Sequence, residues 1–393
     1  MSRRAGILAA TLLFAAASAA TNGANAQQAF PQPLPEEPIP AVATLPERYP
    51  DSYVFVHDLH FKSILDGRAA IVDVSSPAFA VKGQVPVAQF GTLLPSVSGS
   101  EIYTGETFLS RLTRGERTDV ISIWDKATLA PKGEIVLPGG KRGMFVTLKN
   151  AMQFTNGEKW MLVFNFTPGA SVTVVDLEGR KVLGDIDLPG CSLVYPTGLR
   201  GFTSLCADGT LMTVLLDAAG AARSTTSSKA VNDIDNDPWF MTPAMAGRTA
   251  WFVSFKGRLR GFDLSGDKPR DLGGFAMVPG DAAKGYRPGG WQVASADAAG
   301  RVYVLMDPNG EPGSHKNGGT EVWVADTAKK AVARKIAMKN HTLSIEVTAG
   351  AKPWLVAARP DGNLDVYDAN SGDFLHTVAE VVNDPMTMTA AGK

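Results

Sequence analysis

The sequence predicts an all-β fold, a seven-bladed β-propeller of four-stranded antiparallel blades, from three observations. A short strand pattern ending in Asp recurs seven times. The intervals between copies suit four strands and their turns. No long stretch has the 3.6-residue apolar period of an amphipathic helix. The copies end at Asp73, Asp125, Asp176, Asp217, Asp263, Asp326 and Asp368, separated by 52, 51, 41, 46, 63 and 42 residues. In each, three or more residues alternate apolar and polar, as in Ile121-Ser122-Ile123-Trp124-Asp125 and Val172-Thr173-Val174-Val175-Asp176. Alternation of period two is a half-buried strand. A terminal Asp can accept a hydrogen bond from its own backbone two residues on and so begin a turn. Glycine follows in several copies (Gly179, Gly220, Gly266, Gly372), as hairpins require. Dividing Tyr49 to Ala390 by seven leaves about 49 residues per unit, the size of a propeller blade. The 63-residue interval leaves room for an eighth, degenerate blade as the rival count. The Tyr53-Val54-Phe55-Val56 strand is expected to complete the last blade with the C-terminal strands.

Ahead of the blades lie two segments of different character. Arg3 and Arg4 precede an apolar run from Ala5 to Ala20, and Ala24-Asn25-Ala26 has the small-x-small form of a peptidase site. Residues 1–26 therefore read as a signal peptide cleaved near Ala26, by the general or the twin-arginine route. The apolar run is shorter than the about 20 residues that span a bilayer. Residues 27–48 are an extended Pro-rich arm (Pro31, Pro33, Pro35, Pro38, Pro40, Pro46), and residues 49–393 the propeller. Export places the chain in the periplasm, with no membrane partner.

Charge and cysteine usage narrow the function. The formal net charge is −1, with no basic footprint for nucleic acid. The two cysteines, Cys191 and Cys206, form an even pair in an oxidising compartment, which favours a disulfide. His57 and His60 stand three apart on a strand end, facing opposite ways, and read as structural or surface residues rather than metal ligands. Asp233, Asp235 and Asp237 alternate along a loop. The sixth and twelfth positions of a calcium loop would fall on Pro238 and Ala244, so a solvated acidic loop is the expectation. There is no C-x-x-C-H, G-x-S-x-G or P-loop motif. These features point to a scaffold or binding subunit with no catalytic, cofactor-binding or metal-binding residues of its own. The alternatives are a stand-alone propeller enzyme, cofactor- or calcium-dependent, and a non-catalytic binding module.

Several blocks carry a resemblance. They are Ser110-Arg111-Leu112-Thr113-Arg114-Gly115-Glu116-Arg117-Thr118-Asp119, Tyr286-Arg287-Pro288-Gly289-Gly290-Trp291, His315-Lys316, and Cys191 through Cys206 enclosing Tyr195-Pro196-Thr197. Through nearly the whole mature chain the sequence resembles the heavy subunit of tryptophan tryptophylquinone amine dehydrogenases, of the methylamine and aromatic amine types. The resemblance implies a partner, a small disulfide-rich light subunit that carries the quinone made from two of its own tryptophans. It implies an assembly of two heavy and two light chains that oxidises a primary amine to aldehyde and ammonia. Electrons would pass to a blue copper protein. It also implies a substrate-channel gate at Phe61, the Phe that follows the first strand. An aromatic ring there would wall the channel and filter substrates by size. Cys191 and Cys206 have the spacing of the family's heavy-chain disulfide. Arg114, Arg117 and Asp119 are read either as contacts to the light subunit or as an intrachain brace between blades. The blocks Asn236–Ala244 and Asp307–Lys316 look closer to the aromatic amine type. The first-blade segments Asp66-Gly67-Arg68 and Phe79-Ala80-Val81-Lys82 match neither type distinctively.

Overall fold

The computed structural model describes residues 43–88, 90–278 and 285–393, of which 44–393 form one compact unit. The segment read from the sequence as a signal peptide, residues 1–26, and most of the Pro-rich arm lie outside the described residues. Seven antiparallel sheets follow one another around a central axis, each built outward from the axis. The fourth blade shows the plan: Cys191–Pro196 innermost, then Gly201–Cys206, Leu211–Leu216 and Ala222–Ser227 at the outside. Burial follows this order. Gly201–Cys206 is buried along its whole length, and Ala222–Ser227 is exposed along its whole length. A strand flanked by sheets on both faces must be apolar on both, whereas an outer edge is wet.

Ring closure differs from the expectation in one respect. The C-terminal strand Pro385–Ala390 pairs with Tyr53–Asp58 and supplies the innermost strand of the first blade, so the last blade, from Ser344–Val347 to Phe374–Val378, is complete without it. Val54 stands opposite Ala390 and Val56 opposite Met388. The end of the Pro-rich arm is also anchored. Leu45 donates its N–H to the Ala127 carbonyl at 2.8 Å and packs where blades one and two meet.

The seven aspartates all lie at the same place. Six end the third strand of their blade, and Asp217 immediately follows Leu216. In every blade the Oδ1 atom accepts a backbone N–H of the following turn, from Ser75, Ala127, Gly179, Ala219, Ser265, Ala328 and Asn370, at 2.7–3.1 Å. The register to the outer strand slips just before each of them, seven bulges that increase strand twist in the same position. The long interval before Asp326 holds no eighth blade. Its extra length lies in loops and in an innermost strand split into Arg287–Pro288 and Ala294–Ala296, both pairing with Val302–Asp307.

Apolar clusters fill the gaps between blades. One example joins Val54, Val56, Ala70 and Val72 of the first blade to Val356, Ala358, Leu364 and Val366 of the seventh. Fully burying each of the Val and Leu side chains contributes about 1.5–3 kcal/mol. The two ends of the ring are unequal. The Asp turns and the hairpins joining first to second strands occupy one end. The other carries the second-to-third strand loops, among them 59–67, 110–116 and 308–318, and the blade crossovers 138–151 and 228–243.

Candidate functional site on the loop-bearing face

Phe61 lies on the loop that leaves the first blade at Asp58. The Asp58 carboxylate is buried and accepts the backbone N–H groups of His60, Asn383 and Asp384, each at 2.9 Å. Burial alone would push this carboxyl up, but the hydrogen bonds from Asn383, Asp384 and His60 outweigh it and hold it below its ordinary value. The Phe61 N–H in turn donates to Asp384 Oδ2 at 2.8 Å. The loop is thus tied to the ring-closing segment, and the Phe61 ring stands 44% exposed at the rim. His57 is enclosed in the strand, where burial drives its pKa down to about 4 against the pull of Asp58. His60 is in the loop with a left-handed backbone, 3.5 Å from Asp66. Among the described residues no three His, Cys, Asp or Glu side chains converge to hold a metal.

Arg117 and Asp119 meet, and Arg114 does not join them. Arg117 makes a two-pronged contact with Asp119, Nε to Oδ1 at 2.9 Å and Nη2 to Oδ2 at 3.0 Å. The buried Asp119 also accepts Thr107 Oγ1 at 2.7 Å and the Arg142 N–H at 3.0 Å. Arg142, on the crossover to blade three, is buried and donates to Thr107 Oγ1 and to the Phe90 carbonyl. Burial lowers its pKa to about 10, with Asp119 opposing, so it stays a cation near neutrality. The geometry is that of a brace tying blade two to its crossover. Arg114 belongs to the exposed hairpin tip at 110–116. Nothing in the sequence marks Arg142, a single Arg in a Gly-Lys-Arg-Gly stretch whose bonds to Asp119, Thr107 and Phe90 reach 23 to 52 residues away.

The other conspicuous blocks serve as structural ties, some between blades and some within one. The Trp291 indole donates to the Thr147 carbonyl at 2.8 Å, from blade six to the crossover after blade two. Gly290 has φ 134°, and a Cβ there would stand 2.4 Å from the Leu343 carbonyl oxygen, so glycine is required. His315 stacks on Phe255 with ring centres 4.6 Å apart. Cys191 and Cys206 face each other across the two inner strands of blade four and form the disulfide, with sulfurs 1.98 Å apart. Such a closed loop stabilises by about 3 kcal/mol on the chain-entropy view. Asp233 and Asp237 organise their loop: Asp237 accepts the Ser254 hydroxyl and the Lys256 N–H, each at 2.8 Å.

Along the axis runs a cavity of 480 Å³. On its wall the buried Glu346 of blade seven pairs with Lys149 and Lys393, each at 3.0 Å, and accepts hydrogen bonds from Gln292 and Ser295 of blade six. Burial would raise the Glu346 carboxyl, but the two ammonium groups bring it down to about 2. This cluster carries no motif; its members lie 47 and 197 residues from Glu346.

The loop-bearing end of the first three blades is apolar and exposed. Phe61 and Leu65 (44% each), Phe108 (46%), Leu112 (76%) and Phe166 (66%) present large side chains there. Exposed large hydrophobic groups gathered at one end are of the kind found at interaction surfaces.

Residues 54–392 match the family model described as methylamine dehydrogenase heavy chain. The methylamine dehydrogenase heavy chain of Paracoccus versutus is 29% identical over 366 residues, 90% of this chain and 82% of that one. That of Methylorubrum extorquens is 29% identical over 347 residues, 85% of this chain and 82% of its own. Among solved structures, a putative 6-phosphogluconolactonase from Bacteroides fragilis superposes with TM-score 0.59 at 14% identity, covering 86% of this chain and 98% of that chain. Dihydro-heme d1 dehydrogenase NirN follows with TM-score 0.52 at 16% identity, covering 92% and 84%. These two likenesses concern the fold alone.

Proposed function

Because the chain belongs to the methylamine dehydrogenase heavy chain family, we propose that it is the heavy subunit of a periplasmic dehydrogenase that converts a primary amine to aldehyde and ammonia. It acts with a small light subunit, two of each chain, and a blue copper protein takes the electrons. The quinone belongs to the light subunit and supplies the oxidation of the amine carbon. The heavy chain does not itself fit that group, which is built from two tryptophans. The aromatic pairs of its described residues bring no two indoles together, and Trp124, Trp291 and Trp323 each spend the indole N–H on an acceptor within the chain.

The observation that carries the reading is the match over residues 54–392, and the exposed apolar groups on blades one to three support a docking face. In this reading Phe61 stands at the mouth of the channel, an apolar ring that excludes water and limits substrate size. The Arg117–Asp119–Arg142 brace holds the neighbouring loops still while the light subunit sits against them. Arg114, at an exposed tip, is left as the contact residue of the three. The Asn236–Ala244 and Asp307–Lys316 blocks weight the substrate toward an aralkylamine over methylamine.

The test is co-expression with a short, cysteine-rich light chain of the kind that the reading requires. The assembled protein is expected to reduce a dye with 2-phenylethylamine or methylamine as donor, and the heavy chain alone to be inert. Amine oxidation by the isolated heavy chain, or its failure to pair with any light chain, would overturn the reading. A higher kcat/KM for methylamine would move the substrate to the smaller amine.

A further inference from the structure

Between the first two blades, beside the loop that bears Phe61, lies a cleft of about 390 Å³, and two of its lining residues, Leu65 and Phe108, also belong to the exposed apolar face. Its walls are apolar and aromatic: Leu65, Phe108 and Trp124, with Pro86 and Pro131. Its polar lining is carboxylate and hydroxyl: Glu106, Glu134, Asp66 and Ser122. Glu106 is only 2% exposed. It accepts the Ala88 N–H at 2.7 Å, the Thr104 hydroxyl at 2.9 Å and the Ser122 hydroxyl, all neutral donors. Among the described residues no cationic side chain stands within ion-pair distance of it. Arg142 senses its charge from farther off but spends its own N–H groups on Thr107, Phe90 and Gly143. A carboxylate so far from water ordinarily has a charged partner. Glu134 belongs to the outer strand, opposite Ser122, so the two glutamates flank the hydroxyl that bonds Glu106.

We propose that this cleft binds an organic ammonium ion, with its charged head toward Glu106 and Glu134 and its hydrocarbon body between Phe108, Trp124 and Leu65. Aromatic faces attract a cation and also bury apolar surface, whereas an anion would meet carboxylates and a neutral body would leave Glu106 without its charge partner. The volume suits an aralkylammonium better than methylammonium, which would leave most of the cleft unfilled. The choice of a primary amine rests on the dehydrogenase reading; the cation preference rests on the cleft. The site would hold substrate on the heavy chain, next to the rim where Phe61 stands.

The experiment is calorimetric titration of the full mature chain with 2-phenylethylammonium, 2-phenylethanol and methylammonium. Saturable binding of phenylethylammonium is expected, with the alcohol at least about tenfold weaker, the difference of one charge-assisted contact. F108A and E134Q, both at exposed positions, are each expected to weaken it about three- to tenfold, and E106Q more. Should E106Q fail to fold, the other two variants decide. No saturable binding, equal affinity for the alcohol, or wild-type affinity in either F108A or E134Q would overturn the site. Amine oxidation by the complex with the light subunit is measured separately. Binding without oxidation removes the dehydrogenase reading and keeps the site. Oxidation by a complex whose heavy chain shows no cleft binding does the reverse.

Discussion

The two ends of this propeller are built by different rules. At the Asp-turn end, seven copies of one local device close seven blades: an Asp, a bulge before it and a backbone N–H bonded to its carboxylate. Each copy depends on residues within a few positions of one another. At the loop-bearing end no two blades are alike, and the contacts are long-range. Asp58 holds Asn383 and Asp384, Asp119 holds Arg142, and Trp291 reaches Thr147. Repetition makes one end robust and uniform; at the other, single contacts between distant segments fix the loops.

If that contrast holds, one long-range contact should outweigh one local turn. Replacing Asp119 leaves Arg117 and Arg142 without their carboxylate. D119A should therefore lose about 3–5 kcal/mol of stability in urea titration. A loss below about 1 kcal/mol would mean that the loop end does not depend on its brace.

His57 offers a pH test at the same end. Its pKa is lowered from 6.5 to about 4 by burial, so the unfolded chain binds this proton more readily than the folded one. Stability attributable to it is full above pH 6.5 and falls as pH drops toward 4. The wild type should lose up to about 3 kcal/mol over that window. H57L should remove that part of the slope, and an unchanged slope would show that His57 is solvated in solution.

At the turn end, D73A deletes two bonds from Ser75, at 3.1 and 2.7 Å, and should cost about 1 kcal/mol by thermal or urea unfolding. A cost as large as that of D119A would erase the distinction between the ends. The smallest stability effect belongs to Leu112, at the exposed hairpin tip. L112S should change stability by less than about 0.5 kcal/mol. It should nonetheless weaken pairing with a light subunit several-fold in size-exclusion or surface-binding measurements. Unaltered pairing would move the docking face elsewhere.

The local rules are legible in the sequence. Alternation, terminal Asp and turn glycine are neighbours in the chain, so the blades, their number and the strand ends followed from spacing. The disulfide was legible because the chain has only two cysteines. The rival count of eight falls away because the 63-residue interval holds no further sheet; its extra residues enlarge loops of the sixth blade. The expected brace was half legible. Arg117 and Asp119 are two apart on one strand and meet, but Arg114, three residues earlier, turns out on a hairpin tip, and Arg142 carried no signal. Phe61 is at the rim because Asp58 and Asp384 hold its loop, a pairing across 326 residues.

What the sequence by itself determined is therefore the repeated element: strand, bulge and Asp turn, each set by interactions among adjacent residues. Only the tertiary structure decided how the ring closes, which charges share the axis and which cleft encloses Glu106. Those depend on residues that chain connectivity keeps far apart and that only the closed ring of sheets brings within a few ångströms.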